Sequence, residues 1–324
     1  MCIQQTNDQP QRTVILVHGG SFKPDPDDLT RLWQEALATG LSRDCRKAGG
    51  ATLLDDVRLE MAYYGDLVNA HLQQLGKCVD PALDLEDRRR DLRRLAALPS
   101  KKKFRRMQYE MVPGKTALRE FIADMAAPLL NLIGLAGRAL ARTTPVLANY
   151  LVNADYREAC EERLLRVLEP ALARGDDVLL LSHAMGSVIS YDVLWRLTHD
   201  PDRNPGNAHR VHTWITFGSP LPNGYVKRQL RGAGNDPEQR YPNKVINWFN
   251  VSAEDDFHCH DKTVCDDFAE LLRRQQISQI RDFRIYNLAM RYGRSNPHNS
   301  LGYLVHPRMT QLVHGWLTHP TQQT

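Results

Sequence analysis

The stretch Val178-Leu179-Leu180-Leu181-Ser182-His183-Ala184-Met185-Gly186-Ser187 constrains this chain most. Four apolar residues in a row, set off by the Gly175-Asp176-Asp177 turn, predict a strand buried on both faces. From Met185 to Leu197 the apolar positions Val188, Tyr191, Val193 and Leu194 predict a helix, and Gly186 lets its first turn pack closely. A buried strand that passes into a helix through a few small residues belongs to a layered α/β architecture.

Comparable strand signals recur along the chain. Thr13-Val14-Ile15-Leu16-Val17 is a β-branched and apolar run that opens into His18-Gly19-Gly20-Ser21. Val57 to Asp66 predicts a strand and its exit loop, Val211 to Phe217 another strand, Lys244 to Val251 a further one, and Ile280 to Leu288 the last. Strands beginning near residues 13, 57, 178, 211, 244 and 280, with helical stretches between them, predict a mostly parallel, doubly wound sheet covered on both faces.

Ser182-His183-Ala184-Met185-Gly186 has the small-residue pattern of G-x-S-x-G, the strained turn that presents a nucleophilic serine at the top of such a sheet. Around this turn the chain resembles the α/β-hydrolase superfamily of serine hydrolases, its lipase and esterase branches above all. Ser182 replaces the first glycine, small for small. Ala184 stands where the resemblance implies the nucleophile, and a methyl group cannot form an acyl-enzyme. The resemblance implies an oxyanion hole built from the backbone amides of Gly20 and Met185, and substrate contacts from His18, Gly19, Ser21 and His183.

The superfamily's order of nucleophile, acid, then histidine is available downstream. Ser252-Ala253-Glu254-Asp255-Asp256-Phe257 follows a predicted strand at its carboxyl end, where loops converge over a sheet. Asp256 is the preferred acid and Asp255 the second candidate. Ser295-Asn296-Pro297-His298-Asn299 follows the last strand and precedes a helix predicted over Pro307 to Leu317, so His298 is the implied base. His199, His209, His212, His306 and His314 read as packing or surface residues. Ser219 also follows a glycine, but Pro220 removes the next N–H, so a structural role is expected.

Residues 67–153 separate the second strand from a helix predicted over Asp155 to Ala173, far more chain than a connection requires. They predict a helical cap or lid inserted into a core of residues 1–66 and 154–324. Ala117 to Ala126, Leu129 to Leu140 and Val146 to Val152 are its apolar helical stretches, which pack as a core or line a channel for an apolar acyl chain. Arg88-Arg89-Arg90 and Arg93-Arg94 alternate with Glu86, Asp87 and Asp91 and predict a solvated helix face. Lys101-Lys102-Lys103-Phe104-Arg105-Arg106 lacks such partners and suits peripheral contact with an anionic membrane surface.

Composition adds bounds. With 42% apolar and 25% charged residues the chain has the profile of a globular protein, and no stretch approaches the ~18 apolar residues of a membrane span. The net charge of +4 comes with no nucleic-acid-binding motif. Six scattered cysteines and an N-terminal stretch unlike a secretory signal predict free thiols and a cytoplasmic location. His258-Cys259-His260-Asp261 with Cys265 invites a metal, but matches no familiar zinc spacing, and neither metal nor cofactor is expected. The expected activity is therefore hydrolysis of carboxylic esters, lipid-like or otherwise hydrophobic, in a form silenced at Ala184. A ligand-binding protein without chemistry, and a peptidase or thioesterase using the same triad, are the alternatives. Oligomeric state is not legible.

Overall fold

In the computed structural model, the described residues are 11–50, 52–98, 111, 144–201, 209–254, 256 and 263–319. A six-stranded, all-parallel sheet forms the centre, in the order β2-β1-β3-β4-β5-β6. The strands are β1 (Arg12–Val17), β2 (Arg58–Ala62), β3 (Asp177–His183), β4 (Val211–Phe217), β5 (Val245–Ala253) and β6 (Gln279–Ile285). They are the six that the hydrophobic runs predict, with boundaries shifted by a residue or two at most of their starts.

Side-chain alternation divides the interior into two cores. Ile15, Val17, Val178 and Leu180 face one side. There they meet α4 (Pro145–Val152), α5 (Ala154–Ala173) and α6 (Met185–His199), and the short helices α7 (Gly224–Lys227) and α8 (Ala269–Arg273) join the same core through Val226 and Leu271. Val14, Leu16, Leu179 and Leu181 face the other side, against α1 (Pro26–Asp44), α9 (Ser300–Leu304) and α10 (Pro307–Thr318). Each fully buried leucine of β3 contributes about 1.5–3 kcal/mol relative to exposure. This is why the central strand reads as an unbroken apolar run.

Helix ends follow local chemistry. Asp25 caps α1 by accepting from the Asp28 N–H at 2.9 Å, with Pro26 as the first helical residue. His306 caps α10 in the same way, its Nδ1 accepting from the Arg308 N–H at 3.0 Å ahead of Pro307. This bond and near-complete burial explain why His306 belongs to the packing, and burial pushes its pKa down to about 3.

The described flanks of residues 67–153 are built into the layers around the sheet. Between β2 and α4 lie α2 (Gly65–Gln74) and α3 (Pro81–Ala96). Val68 of α2 and Val146, Leu147 and Tyr150 of α4 join one core, and Leu92 and Leu95 of α3 join the other. The apolar stretches Ala117–Ala126 and Leu129–Leu140 and the basic cluster 101–106 lie outside the described residues.

The expectation of a solvated basic face on α3 is corrected. Asp84, Asp87, Arg88 and Asp91 are buried. Arg291, on the hairpin formed by β7 (Met290–Arg291) and β8 (Arg294–Ser295), pairs with Asp84 and Asp87, and Asp91 accepts from the Met290 N–H at 3.0 Å. Arg89 and Arg93 keep the solvated pattern, pairing with Asp28 and Glu86. The acidic partners serve a segment two hundred residues away, which periodicity does not register. No described helix is long and apolar enough to cross a membrane, and Cys45, Cys78, Cys160 and Cys265 are free.

Candidate active site

The sheet reverses its order of growth between β1 and β3, and the crevice beyond the carboxyl ends of strands at such a point is the usual ligand position in open α/β sheets. Gly19 and Gly20 leave β1 on one side of it, and Ala184 leaves β3 on the other. Ala184 has φ 51° and ψ −123°, a conformation that L-residues rarely adopt. Its N–H donates to the Phe217 carbonyl at 3.0 Å, and its carbonyl accepts from the Ser187 N–H at 2.9 Å and the Ser187 hydroxyl at 2.6 Å. The turn is thus tied to β4 and to the first turn of α6.

Glycines make this approach possible. A Cβ on Gly186 would stand 2.5 Å from the His18 carbonyl oxygen and 2.6 Å from that of Val17, so only glycine lets α6 start against the end of β1. A Cβ on Gly19 would stand 3.0 Å from the Ala184 methyl, and one on Gly20 3.1 Å from the Met185 sulfur. The Gly19-Gly20 backbone therefore lies alongside residues 184 and 185. Met185 is the first residue of α6, so its N–H has no acceptor within the helix.

Ser182 and Ser219 both have structural employment. The Trp214 indole N–H donates to the Ser182 hydroxyl at 3.0 Å, and that hydroxyl meets Ser190 at 2.7 Å, joining β4, β3 and α6. Ser190 donates to the Gly186 carbonyl at 2.8 Å, so the proton between the two serines comes from Ser182. Ser187 donates to Ala184, so Ser219 donates to Ser187 at 2.6 Å while accepting from the Leu221 N–H at 3.2 Å.

The acid and base are brought together. His298 Nδ1 lies 2.8 and 3.0 Å from the two carboxylate oxygens of Asp256, whose side chain is fully buried. An Nδ1–H donated to Asp256 places the lone pair of the neutral ring on Nε2. Asp255 lies outside the described residues, as do His258, Cys259, His260 and Asp261 of the metal expectation. Cys265 directs its thiol to the Ile280 carbonyl at 3.7 Å. No group of three or more His, Cys, Asp or Glu placed for a metal occurs among the described residues.

Sequence reasoning missed two residues that hold this pair. Tyr303, on α9, donates from its hydroxyl to Asp256 at 2.8 Å while accepting from the Ala253 N–H at 3.0 Å. Asn287 donates from its amide to the carbonyls of Pro297, at 2.7 Å, and Asn299, at 3.0 Å, on either side of His298. Gly302 leaves the space for Asn287, whose Oδ1 a Cβ there would overlap. The only signal in sequence is their nearness to His298, and it does not distinguish them from other loop residues.

His183 and His18, which the resemblance implies as substrate contacts, are buried and hydrogen-bond to backbone. His183 is 7% exposed, packs on Phe217, and meets the His298 carbonyl through Nε2 at 2.9 Å. Burial, then the neighbouring His298 and Lys23, push its pKa well down, so it is a neutral donor. His18 has no exposed surface and stacks on Tyr64 with ring centres 3.9 Å apart. Its Nε2 accepts from the Tyr64 N–H at 3.2 Å, so Nδ1 carries the proton and donates to the Gly19 carbonyl at 2.9 Å. Burial and then Lys23 push this pKa well down as well. Both rings shape backbone at the site, and Ser21, which is exposed, remains a residue able to meet a ligand.

A separate cavity of about 620 Å³ opens between the α4–α5 junction and the end of α6, lined by Arg157, Trp195, Arg196, His199 and Arg231 among others. Its arginines are paired with carboxylates, Arg157 with Asp192, Arg196 with Glu161 and Glu162, and Arg231 with Glu161. Gly19, Gly20, Ala184, Asp256 and His298 do not line it.

Comparison of the chain with protein-family models, with curated proteins and with solved structures finds no match.

Proposed function

We propose that this protein has an α/β-hydrolase fold with the site of a serine hydrolase for carboxylic esters, and that Ala184 occupies the nucleophile's position. The observation that carries this reading is the backbone of Ala184. It holds φ 51° and ψ −123° at the β3–α6 junction, in a chain that also pairs His298 with a buried Asp256. Non-glycine residues in such regions cost about 1–3 kcal/mol and persist where the surrounding structure enforces them, commonly at active sites. A mere connection between strand and helix has no need of that conformation.

With a serine in place of Ala184, His298 Nε2 takes the hydroxyl proton as the oxygen attacks the ester carbonyl. Asp256 holds the imidazole tautomer and stabilises the imidazolium. The N–H groups of Gly20 and Met185 receive the negative charge of the tetrahedral oxygen. His298 then gives its proton to the departing alcohol, and water, deprotonated by the same ring, releases the acid. Val146 and Met185, both against Gly20, provide an apolar wall that suits a hydrophobic acyl group. As the chain stands, the nucleophile is missing, and losses on the order of a millionfold are typical of that change in a serine hydrolase. It therefore binds its ester and scarcely converts it.

Ala184 itself favours a second reading, a ligand-binding protein that uses the crevice without chemistry. Hydrolysis assays separate the two. Ala184→Ser protein is expected to cleave neutral p-nitrophenyl esters with saturation kinetics, and the parent chain is not. Activity across esters, thioesters and amides also identifies the bond. Folded Ala184→Ser protein inert to all three overturns the hydrolase reading and leaves the binding one.

A further inference from the structure

The loop that leaves β1 contains a buried lysine with no carboxylate beside it among the described residues. Lys23 is 5% exposed. Its ammonium donates to the Ser21 carbonyl at 2.7 Å, the Ser21 hydroxyl at 2.8 Å and the Phe22 carbonyl at 3.4 Å, all neutral oxygens. Its backbone is clamped by Asn69, which accepts from the Lys23 N–H at 2.9 Å and donates to its carbonyl at 2.8 Å. The main chain at Lys23 is thus held in place.

The surroundings add positive charge. Arg88 donates to the same Phe22 carbonyl at 2.9 Å and pairs with Asp84 at 2.6 Å. Arg291 pairs with Asp84 and Asp87. Asp84 is shared by Arg88 and Arg291 and Asp87 is taken by Arg291, so neither carboxylate pairs with Lys23. Buried ions are ordinarily paired, because an unpaired one forfeits its hydration without return. Burial, then Arg88 and Arg291, accordingly push the Lys23 pKa well down.

Its position relates this charge to the crevice. Lys23 follows Gly19-Gly20-Ser21, its hydrogen-bond partner Ser21 is exposed, and its field reaches both His18 and His183. We infer that Ser21 and Lys23 form a subsite for one carboxylate on the ligand, so that the preferred ester is a half-ester of a dicarboxylic acid. A carboxylate supplies the counter-ion that Lys23 lacks among the described residues. On binding, the carboxylate takes the Ser21 hydroxyl as a donor and draws ammonium hydrogen bonds from the loop oxygens, a charge-assisted pairing stronger than the neutral contacts it replaces. Val146 and Met185 then accommodate the apolar chain between the two ends.

The inference rests on the hydrolase reading for where the ester lies, but its test needs no turnover. Calorimetric titration of the parent chain with monoethyl glutarate and with diethyl glutarate is expected to show the monoester binding at least tenfold more tightly. Lys23→Gln, which keeps hydrogen-bonding capacity and removes the charge, brings the two affinities together; Lys23→Arg retains a preference. Should Lys23→Gln fail to fold, Ser21→Ala on the exposed rim replaces it, with a severalfold loss expected for the monoester alone. Equal affinities in the parent, absence of monoester binding, or a preference unchanged by these substitutions overturns the subsite. Failure of Ala184→Ser to hydrolyse esters removes the proposed activity and leaves this titration to decide on its own.

Discussion

Ala184 adopts φ 51° with a methyl side chain, although glycine would fit that backbone without a steric penalty. Its neighbours enforce the conformation: Phe217 holds its N–H and Ser187 its carbonyl. Replacement by glycine relieves about 1–3 kcal/mol of backbone strain and returns about 0.4–1 kcal/mol as extra freedom of the unfolded chain. Ala184→Gly is therefore expected to raise the unfolding free energy by about 1 kcal/mol, measured by denaturant titration with an unchanged slope. A loss of stability would show that the turn is not strained in the alanine protein. Lys23 is the other residue whose cost in isolation is evident, and it lies in the loop that leaves β1.

At the scale of elements, the acid and base are held by the loops after β5 and before α9. Asn287 grips the carbonyls of residues 297 and 299, His183 donates to that of residue 298, and Tyr303 joins Asp256 to the Ala253 N–H. Tyr303→Phe removes a donor from a buried carboxylate and an acceptor from a buried N–H. The expected stability loss is about 1–3 kcal/mol. In Ala184→Ser protein the same substitution is expected to lower kcat about tenfold with KM nearly unchanged, because the hydroxyl orients the Asp256–His298 pair and does not touch the ester. Steady-state kinetics check this, and a rise in KM with kcat preserved would place Tyr303 in the substrate's path.

At the scale of the whole molecule, much of the frame is legible in sequence because it depends on short-range regularities. Val178–Leu181 and Val14–Val17 are unbroken apolar runs since helices cover both faces of the sheet, and Gly186 is legible because two backbones meet there. Because all six strands are parallel, the loops carrying Gly20, Ala184, Asp256 and His298 leave the same end of the sheet, whereas the order of the strands is not recorded in the runs. What escaped depends on contacts between segments far apart in sequence. Asp84 and Asp87 look solvated until Arg291 is folded against them. Asn287 and Tyr303 resemble ordinary loop and helix residues until the chain returns beside Asp256. His18 and His183 stand out in sequence through their motif, but their burial against Tyr64 and Phe217 has no local signature. Burial of Lys23 likewise depends on Asn69 and Arg88 and has no signature in the loop itself.

On the reading proposed above, the frame presents residue 184 to a competent base and oxyanion hole. Fluorophosphonate labelling examines this arrangement, since the reagent requires an activated nucleophile but no knowledge of the natural ester. Ala184→Ser protein is expected to gain one adduct, located by mass spectrometry at position 184, the parent chain is expected to gain none there, and adding His298→Ala is expected to slow labelling by several orders of magnitude. Folded Ala184→Ser protein that remains unlabelled, or that labels equally well without His298, would contradict it.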